Sequence, residues 1–324
     1  MDTITHTHSS ALPPSGALER YAGTAADRAQ AWAHMSAEDL RRRAVTAANE
    51  RDAGELWALT EAYATLHGAA GAKSSRHTTR AYRRGLHDLL AAWSGENLLR
   101  PSRDAAALWI RRLEASGKTE ATIRVKLAAA RLLYRALRWA GATAAAPFAD
   151  AKPARDKTAA WDKRQPYAQA ELEALLAVAS PVERVLILLG AHAGLRASEM
   201  VALQWQDVDL AGRVLTVTCG KGGKRRRVVM SHSLTAALAA RGRDSGEVLP
   251  FQDGRARARM RKLCRRAGVA YKGLHSLRHA AGTRLAGERD LRAAAEHLGH
   301  SQLETARVYA KWSNTTLHAS VGAW

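Results

Sequence analysis

The sequence has little cysteine, no long apolar run and no visible secretion signal. Cys219 and Cys264 are its two cysteines and have no metal-ligand spacing, and with so few cysteines a reduced, cytoplasmic setting is expected. No apolar stretch reaches the length of about 18 residues that a membrane span needs. Residues 1–16 lack a basic segment followed by an apolar one, so we expect a disordered lead rather than a signal peptide.

Acidic residues are scarce relative to basic ones. Lys and Arg number 50 against 30 Asp and Glu, which gives a net charge of +20. The excess is present in both halves, with +8 in residues 1–160 and +12 in residues 161–324. Such a chain attracts polyanions, and nucleic acid fits better than a membrane surface because no basic amphipathic anchor is visible. Ribosomal and nucleoid proteins share this charge, which therefore leaves the function open.

The residue pattern predicts a mainly α protein with a small β-sheet. Helix-forming residues dominate, whereas "WQDVDL", "RVLTVTC" and "KRRRVVM" in the second half are typical of short strands joined by turns. A Gly-containing break at 67–77 and a proline-bearing stretch at 145–169 divide the chain. We expect a lead (1–16), an extra helical N-terminal segment (17–70), a helical domain (72–150), a linker (151–165) and a second domain (166–324).

Several short motifs in the second domain contain residues suited to chemistry on an anion. Arg196 follows a glycine turn in "HAGLRASEM", and Lys221 lies in the "GKGGK" hairpin, where glycines allow a phosphate to approach closely. His275 and Arg278 are three residues apart in "GLHSLRH". In "HLGHSQLETARVYAKW", Gly299 is expected to end a helix in a left-handed conformation. Taken singly, such residues more often have a structural role.

In this order and spacing, the motifs resemble the catalytic signature of the tyrosine recombinase (phage integrase) family. The resemblance includes its Xer-like site-specific members and extends over residues 75–324. It implies a helical core-binding (SAM-like) domain followed by a catalytic domain, the two forming a C-shaped clamp around DNA. The positions matched to the family's catalytic residues are Arg196, Lys221, His275, Arg278, His300 and the nucleophile Tyr309, with Glu199 in support.

The chemistry of phosphodiester cleavage needs these residue types. Arg196 and Arg278 can offer charged, forked donors to the non-bridging oxygens. The resemblance implies that His275 accepts the proton of Tyr309, that Lys221 protonates the departing 5′ oxygen and that His300 binds the phosphate. It also implies no metal and no ATP, in agreement with the lack of clustered carboxylates near these motifs. Lys224 competes with Lys221 as the hairpin lysine, and the spacing from Arg196 favours Lys221.

Basic residues outside the catalytic motifs are candidate DNA contacts. A run of seven basic residues in "RARARMRKLCRRAG" predicts a helix laid against DNA, although a solvated charged face is the alternative. Further candidates lie in the helical domain and the hairpin. The candidate DNA contacts are Arg80, Arg83, Arg84, Arg124, Lys126, Lys224, Arg225, Arg257, Arg261, Lys262 and Arg265.

The resemblance implies double-stranded DNA with near-palindromic target sites as the partner. It also implies a synaptic tetramer, built from one chain or from two related recombinases, and a cytoplasmic, nucleoid-associated location. Two alternatives stay open: a type IB topoisomerase-like enzyme, which the H-x-x-R pair disfavours, and a silent DNA-binding protein of the same fold. The apolar residues Leu317, Val321 and Trp324 predict that the C-terminal tail packs on a neighbouring protomer.

Overall fold

The fold is that of a computed structural model, which describes residues 23–156, 158, 165–218, 225–242 and 245–299. The chain forms two compact units, residues 1–157 and 158–324. The division falls within the stretch that the sequence marks as a linker. The mainly α class with a small sheet, expected from the sequence, is confirmed.

Over its described residues, 23–156, the first unit is helical, and one 3-10 turn, Gly71–Lys73, precedes the fourth helix there. Its helices are α1 Ala25–Ala33, α2 Ala37–Glu50, α3 Ala53–His67, α4 Arg76–Ala92, α5 Ala105–Ala115 and α6 Glu120–Trp139. Most begin at a side chain that accepts a hydrogen bond from the free N–H groups of the first turn: Thr24, Ser36, Asp52, Ser75 and Thr119.

The core of the first unit contains an aromatic cluster. Phe148 lies between Trp93, Trp109 and Tyr134, with ring centroids 5.2, 5.6 and 5.6 Å away respectively. The hydroxyl of Tyr134 donates to the carbonyl of Leu98 at 2.8 Å, and burial raises the pKa of this phenol. The segment after α6 is thereby fixed to the helices that precede it.

The N-terminal helices belong to this same core. Trp32, Leu56 and Leu59 are buried in one cluster with residues of α4, α5 and α6. The guanidinium of Arg43 lies 4.5 Å from the Trp32 ring and pairs with Glu55 at 2.8 Å. The sequence places a break at 67–77 and an extra segment before it. In the structure, however, no change of core occurs at the break, because α3 packs against α4 and α6.

In the part of the second unit that the structure describes, helices are combined with one three-stranded sheet. The helices are α7 Gln169–Ala177, α8 Pro181–Ala191, α9 Ala197–Ala202, α10 His232–Ala239, α11 Asp253–Arg266, α12 Leu274–Glu288 and α13 Leu291–Leu298. The strands are β1 Val208–Asp209, β2 Val214–Val217 and β3 Arg226–Val229. They pair antiparallel in the order β1-β2-β3, with Val217 opposite Arg226 and Val214 opposite Val229.

Helix α8 is the central element of the second unit. It is buried from Val185 to Ala191, which its nearly continuous apolar sequence predicts. Gly190 allows α12 to approach closely, since a Cβ there would lie 2.6 Å from the Cβ of Leu277. The loop after α8 and the first turns of α12 are therefore adjacent, and these two segments carry the arginines of interest.

Candidate active site

Arg196 is positioned by the start of α9. It is the N-cap residue of that helix, and Glu199, three residues later, accepts a hydrogen bond from its backbone N–H at 2.9 Å. The same carboxylate binds the Nη1 of Arg196 at 2.7 Å. The Arg196 side chain is 30% exposed, and its Nη2 and Nε have no hydrogen-bond partner among the described residues. Two donors of an accessible guanidinium thus remain for a ligand.

Glu199 is the charged centre of this site. Its side chain is 1% exposed and accepts two parallel hydrogen bonds from Arg226, Nη1–Oε1 at 2.9 Å and Nη2–Oε2 at 2.7 Å. Burial alone would raise the pKa of Glu199, but the hydrogen bonds from Arg226 and Arg196 outweigh it and lower that pKa to about 2. One ionised carboxylate therefore faces several guanidinium groups, and the site keeps a positive charge.

Arg278 lies behind this site, on the second turn of α12. Its side chain is 1% exposed, and its Nη1 lies 4.0 Å from the Oε2 of Glu199. Nη1 donates to the carbonyl of Gly194 and Nη2 to that of Leu298, the latter at 2.7 Å. Arg278 therefore joins the loop before α9 to the C-terminal end of α13.

His275 and Arg278 share a helix but differ in burial. His275, in the first turn of α12, is exposed, whereas Arg278 is buried. The ring of His279 is buried and meets the His275 ring edge-on, with centroids 4.7 Å apart. His279 therefore packs against His275. The exposure of His275 suits a proton acceptor that must reach a substrate.

A second pair of histidines, His192 and His297, lies close to the arginines of the site. His297 Nε2 lies 3.1 Å from the carbonyl of His192, and His192 Nδ1 lies 2.7 Å from the hydroxyl of Ser231. Burial lowers the pKa of His297, whereas the hydrogen bond to the His192 carbonyl raises it. The positive charges of Arg226 and Arg278 lower this pKa further. Burial also lowers the pKa of His192. Both imidazoles are therefore neutral at pH 7, which fits a structural role for His297.

The glycine turn after α13 is confirmed. Gly299 has φ +67° and ends the helix in the left-handed conformation. His300 and Tyr309, which follow it, lie outside the described residues, as do Lys221 and Lys224 of the hairpin. The structure thus brings Arg196, Glu199 and Arg278 together. The turn at Leu298 and Gly299, directly before His300, joins this cluster through Arg278.

The candidate DNA contacts of the first unit divide into two groups. Arg80, Arg83 and Arg84 are exposed on α4, form no ion pair within the described part of this unit and lie at helical spacing on one face. Arg124 is 68% exposed and pairs with Glu120 at 2.5 Å. Lys126 is 15% exposed and is bound to Asp88, so it is much less available than the arginines of α4.

The basic run of the second unit forms α11, as expected. Arg257 pairs with Asp253 at 2.8 Å, and the guanidinium of Arg261 lies 5.1 Å from the Tyr271 ring. Lys262 and Arg265 are exposed opposite the buried face of the helix and form no ion pair within the described residues. Arg225 precedes β3 and is exposed. The four predicted contacts on α11 therefore differ in their intramolecular partners. Lys262 and Arg265 are the ones without an ion pair or ring contact among the described residues.

The sequence motifs do not single out Arg226, which lies among three consecutive arginines at 225–227. Alternate residues of a strand point to opposite faces, and Val228 and Met230 are buried. Arg226 lies on their face and is 16% exposed, whereas its neighbours Arg225 and Arg227 are exposed. The alternation in "RRRVVM" was the signal that separates Arg226 from the other two.

Neither a membrane span nor a metal-binding cluster is found within residues 23–299, leaving aside the gaps in the described chain. No helix in these stretches is long and apolar enough to cross a membrane. No group of three or more His, Cys, Asp or Glu side chains there is arranged to hold a metal ion.

Two sequence families match the two units. The phage integrase family matches residues 167–315, and the N-terminal SAM-like domain of phage integrases matches residues 69–141. The second match begins after α3, so α1 to α3 lie outside it although they share its core.

Curated relatives are tyrosine recombinases, two of them similar over most of the chain and one over less than half. The tyrosine recombinase XerC of Xanthomonas campestris pv. campestris is 32% identical over 263 residues, covering 72% of this chain and 78% of the relative. XerC of Mycobacterium leprae is 31% identical over 267 residues, covering 72% and 88%. The tyrosine recombinase XerA of Thermococcus kodakarensis is 36% identical over 159 residues, covering 44% and 56%.

Solved structures share the fold. A lambda integrase dimer bound to a COC′ core site has a TM-score of 0.63 at 14% identity, covering 78% of this chain and 75% of that one. The Tn1549 transposon integrase in complex with circular intermediate DNA has a TM-score of 0.60 at 18% identity, covering 78% and 94%.

Proposed function

The chain belongs to the phage integrase family and is a tyrosine recombinase, and on that premise we propose that it breaks and rejoins DNA at specific sites through a covalent 3′-phosphotyrosine at Tyr309. The observation that carries the proposal is the arrangement around Glu199. Arg196 and Arg278 come from motifs distant in sequence and lie on the same carboxylate, at 2.7 and 4.0 Å. Such a cluster, with a net positive charge, suits a phosphodiester that gains negative charge during attack.

The proposed cleavage step needs six side chains. The Tyr309 oxygen attacks the scissile phosphorus, and the proton of its hydroxyl passes to His275. The bond from phosphorus to the 5′ oxygen breaks, and Lys221 protonates that oxygen. Arg196, Arg278 and His300 bind the non-bridging oxygens. Attack by a second 5′ hydroxyl on the phosphotyrosine reverses these transfers and rejoins the strand, so the bond energy is conserved without a metal ion or ATP.

We propose that both units contribute basic side chains to the duplex. The arginines on α4 and the exposed basic residues on α11 support this, since each set forms one helix face without a matching set of acids. The proposed substrate is double-stranded DNA with two near-palindromic half-sites. The proposed assembly is a tetramer on two such sites, and one neighbour of similar fold is a lambda integrase tetramer bound to a Holliday junction.

The experiment begins with genomic binding and footprinting, which identify the site. A duplex of that sequence, nicked near the cleavage position, traps the covalent complex because the short strand diffuses away. We expect the wild-type protein to form a complex that denaturing gels retain, and Tyr309→Phe to bind the duplex without forming it. A complex formed by the phenylalanine variant would overturn the assignment of the nucleophile. No complex from either protein would indicate a silent DNA-binding protein.

Strand exchange separates recombination from relaxation. Two labelled duplexes carrying the footprinted site are expected to exchange strands, whereas a topoisomerase-like enzyme would relax supercoiled DNA without exchange. The genomic position of the site distinguishes an Xer-like role in dimer resolution from plasmid maintenance or mobile-element integration. A synapse that forms only with a second recombinase added would show that two related chains share it.

The C-terminal tail is proposed to pack on a neighbouring protomer. Residues 315–324, which lie outside the described residues, include Leu317, Val321 and Trp324. We expect deletion of this segment to abolish cooperative assembly on DNA while leaving binding to a single half-site. Unchanged cooperativity in band-shift titrations would contradict the proposal.

A further inference from the structure

We infer that Arg226 is a positioning residue that keeps Arg196 available for the scissile phosphate by occupying Glu199. The inference rests on the proposed function insofar as the ligand of Arg196 is taken to be a DNA phosphate. Arg226 lies outside the six positions proposed for the cleavage chemistry, and 27 residues separate it from Glu199 in sequence.

The geometry of the pair holds the Glu199 carboxylate in one orientation. Arg226 donates from both Nη groups, one to each oxygen of Glu199, at 2.9 and 2.7 Å. A planar guanidinium can face a carboxylate in this way, which a lysine ammonium does not do. The pair is almost removed from water, since the side chains of Arg226 and Glu199 are 16% and 1% exposed. Its orientation is therefore fixed by packing as well as by charge.

Arg226 prevents a competing contact between Arg196 and Glu199. Glu199 gives Arg196 one side-chain contact, at 2.7 Å, and Arg196 keeps Nη2 and Nε without a partner within the described chain. Without Arg226, the buried carboxylate would lose two charge-assisted hydrogen bonds and would need replacements. Arg196 is the nearest flexible cation and would supply them by turning its fork onto Glu199. The donors meant for the substrate would then be occupied.

Arg226 lies where three elements of the second unit meet. Its Cδ lies 2.6 Å and its Nε 3.1 Å from where a Cβ on Gly299 would stand. Arg226 thus packs on the turn that ends α13, and Arg278 binds the carbonyl of Leu298 in the same turn. The strand β3, the start of α9 and the end of α13 therefore meet at one guanidinium. This contact holds the side chain toward Glu199 and away from solvent.

The role of Arg226 predicts a dependence on the charge of the bound phosphate. If Arg226 acts through Arg196, its loss weakens the recognition of a charged phosphate more than that of a neutral one. A methylphosphonate at the scissile position removes the negative charge while keeping the duplex. A merely structural role of Arg226 would lower the affinity for both duplexes alike.

The experiment measures binding in the Tyr309→Phe background, so that no covalent step interferes. Two duplexes of the footprinted sequence are compared, one with a phosphate and one with a methylphosphonate at the scissile position. We expect the background protein to prefer the phosphate duplex by roughly tenfold, as loss of one charge-assisted contact implies. Arg226→Gln is expected to lose most of that preference, and Arg226→Lys to lose an intermediate share.

Two further variants separate the proposal from its alternatives. Arg227→Gln removes the same charge from the exposed face of the same strand and is expected to keep the preference. Glu199→Gln combined with Arg226→Gln removes the carboxylate that would capture Arg196, so this pair is expected to recover part of the preference. Thermal unfolding of each variant shows whether it is folded, and Arg226→Lys serves if Arg226→Gln is not.

The outcomes separate this inference from the proposed function. If the background protein shows no preference for the phosphate duplex, the cluster does not bind the scissile phosphate and both proposals are wrong. If it shows the preference and both Arg226 variants retain it, the role of Arg226 alone is wrong. A double variant that is no better than Arg226→Gln would show that Arg226 does not act through Glu199.

Discussion

Arg226 and Glu199 form a buried pair joined by two hydrogen bonds, Nη1–Oε1 at 2.9 Å and Nη2–Oε2 at 2.7 Å. One residue begins β3 and the other lies in the first turn of α9, so the pair connects the sheet to the helix that positions Arg196. A carboxylate in this position serves two purposes at once. It caps α9 through the backbone of Arg196, and it orients guanidinium groups that would otherwise repel one another.

The ionisation of Glu199 predicts how stability depends on pH. Its folded-state pKa, about 2, lies below the ordinary value of 4.5, so its contribution is fully present above pH 4.5 and is lost as the pH falls toward 2. We expect the wild-type second unit to lose stability more steeply than Glu199→Gln between pH 5 and 3, by up to about 1.4 kcal/mol per pH unit. Hydrogen exchange of α12 amides, corrected for intrinsic rates, measures this. Parallel slopes would contradict the assignment.

The surroundings of Gly194 predict that a side chain at this position destabilises the second unit. It has φ +65°, and a Cβ there would lie 2.3 Å from the Cδ2 of Leu298. Gly268 has φ +67° with nothing within 4 Å of its Cβ position, so it serves as a matched control for the backbone alone. We expect Gly194→Ala to cost about 1–3 kcal/mol more than Gly268→Ala, measured by thermal unfolding. Equal costs would show that the loop can move away from α13.

The shared core of the first unit predicts that its N-terminal helices stabilise the remainder. Leu59 on α3 is fully buried, whereas Leu66 on the same helix is 41% exposed. Leu59→Ala is expected to cost about 2–5 kcal/mol and Leu66→Ala about 0.5 kcal/mol or less. The measurement is hydrogen exchange in α6, which belongs to the same core. Protection of α6 that is unchanged by Leu59→Ala would mean that α1 to α3 fold independently.

The contacts on the basic face of α11 predict which of its residues contribute most to DNA binding. Lys262 and Arg265 form no ion pair within the described chain, whereas Arg257 is already paired with Asp253. Salt dependence is measured as the slope of log K for DNA binding against log salt concentration. We expect Lys262→Gln or Arg265→Gln to reduce the magnitude of this slope by about one, and Arg257→Gln to reduce it by less. Arg184→Gln changes the same charge on α8, where the guanidinium binds the carbonyl of Leu176. Equal slopes for all four proteins would contradict the order.

Local sequence specifies the helices and strands and the identity of the candidate residues. The spacing of Leu86, Leu89 and Leu90 is that of one helix face, and all three are buried on α4; Gly299 ends α13 as its lack of a Cβ allows. These features are local, because a helix face or a left-handed turn depends on residues a few positions apart. The order of the motifs likewise indicated the family before any contact was known.

The separate roles of these residues depend on tertiary packing. Arg278 reads in sequence as a phosphate ligand, yet its burial and its bonds to Gly194 and Leu298 also make it a link between segments. Arg226 reads as one charge in a run, yet it orients Glu199. Both outcomes depend on which distant residues share a face, and burying a charge is stable only where an opposite charge and hydrogen bonds meet it. The residue types show that such a pair can form, and the packing of the chain determines which residues form it.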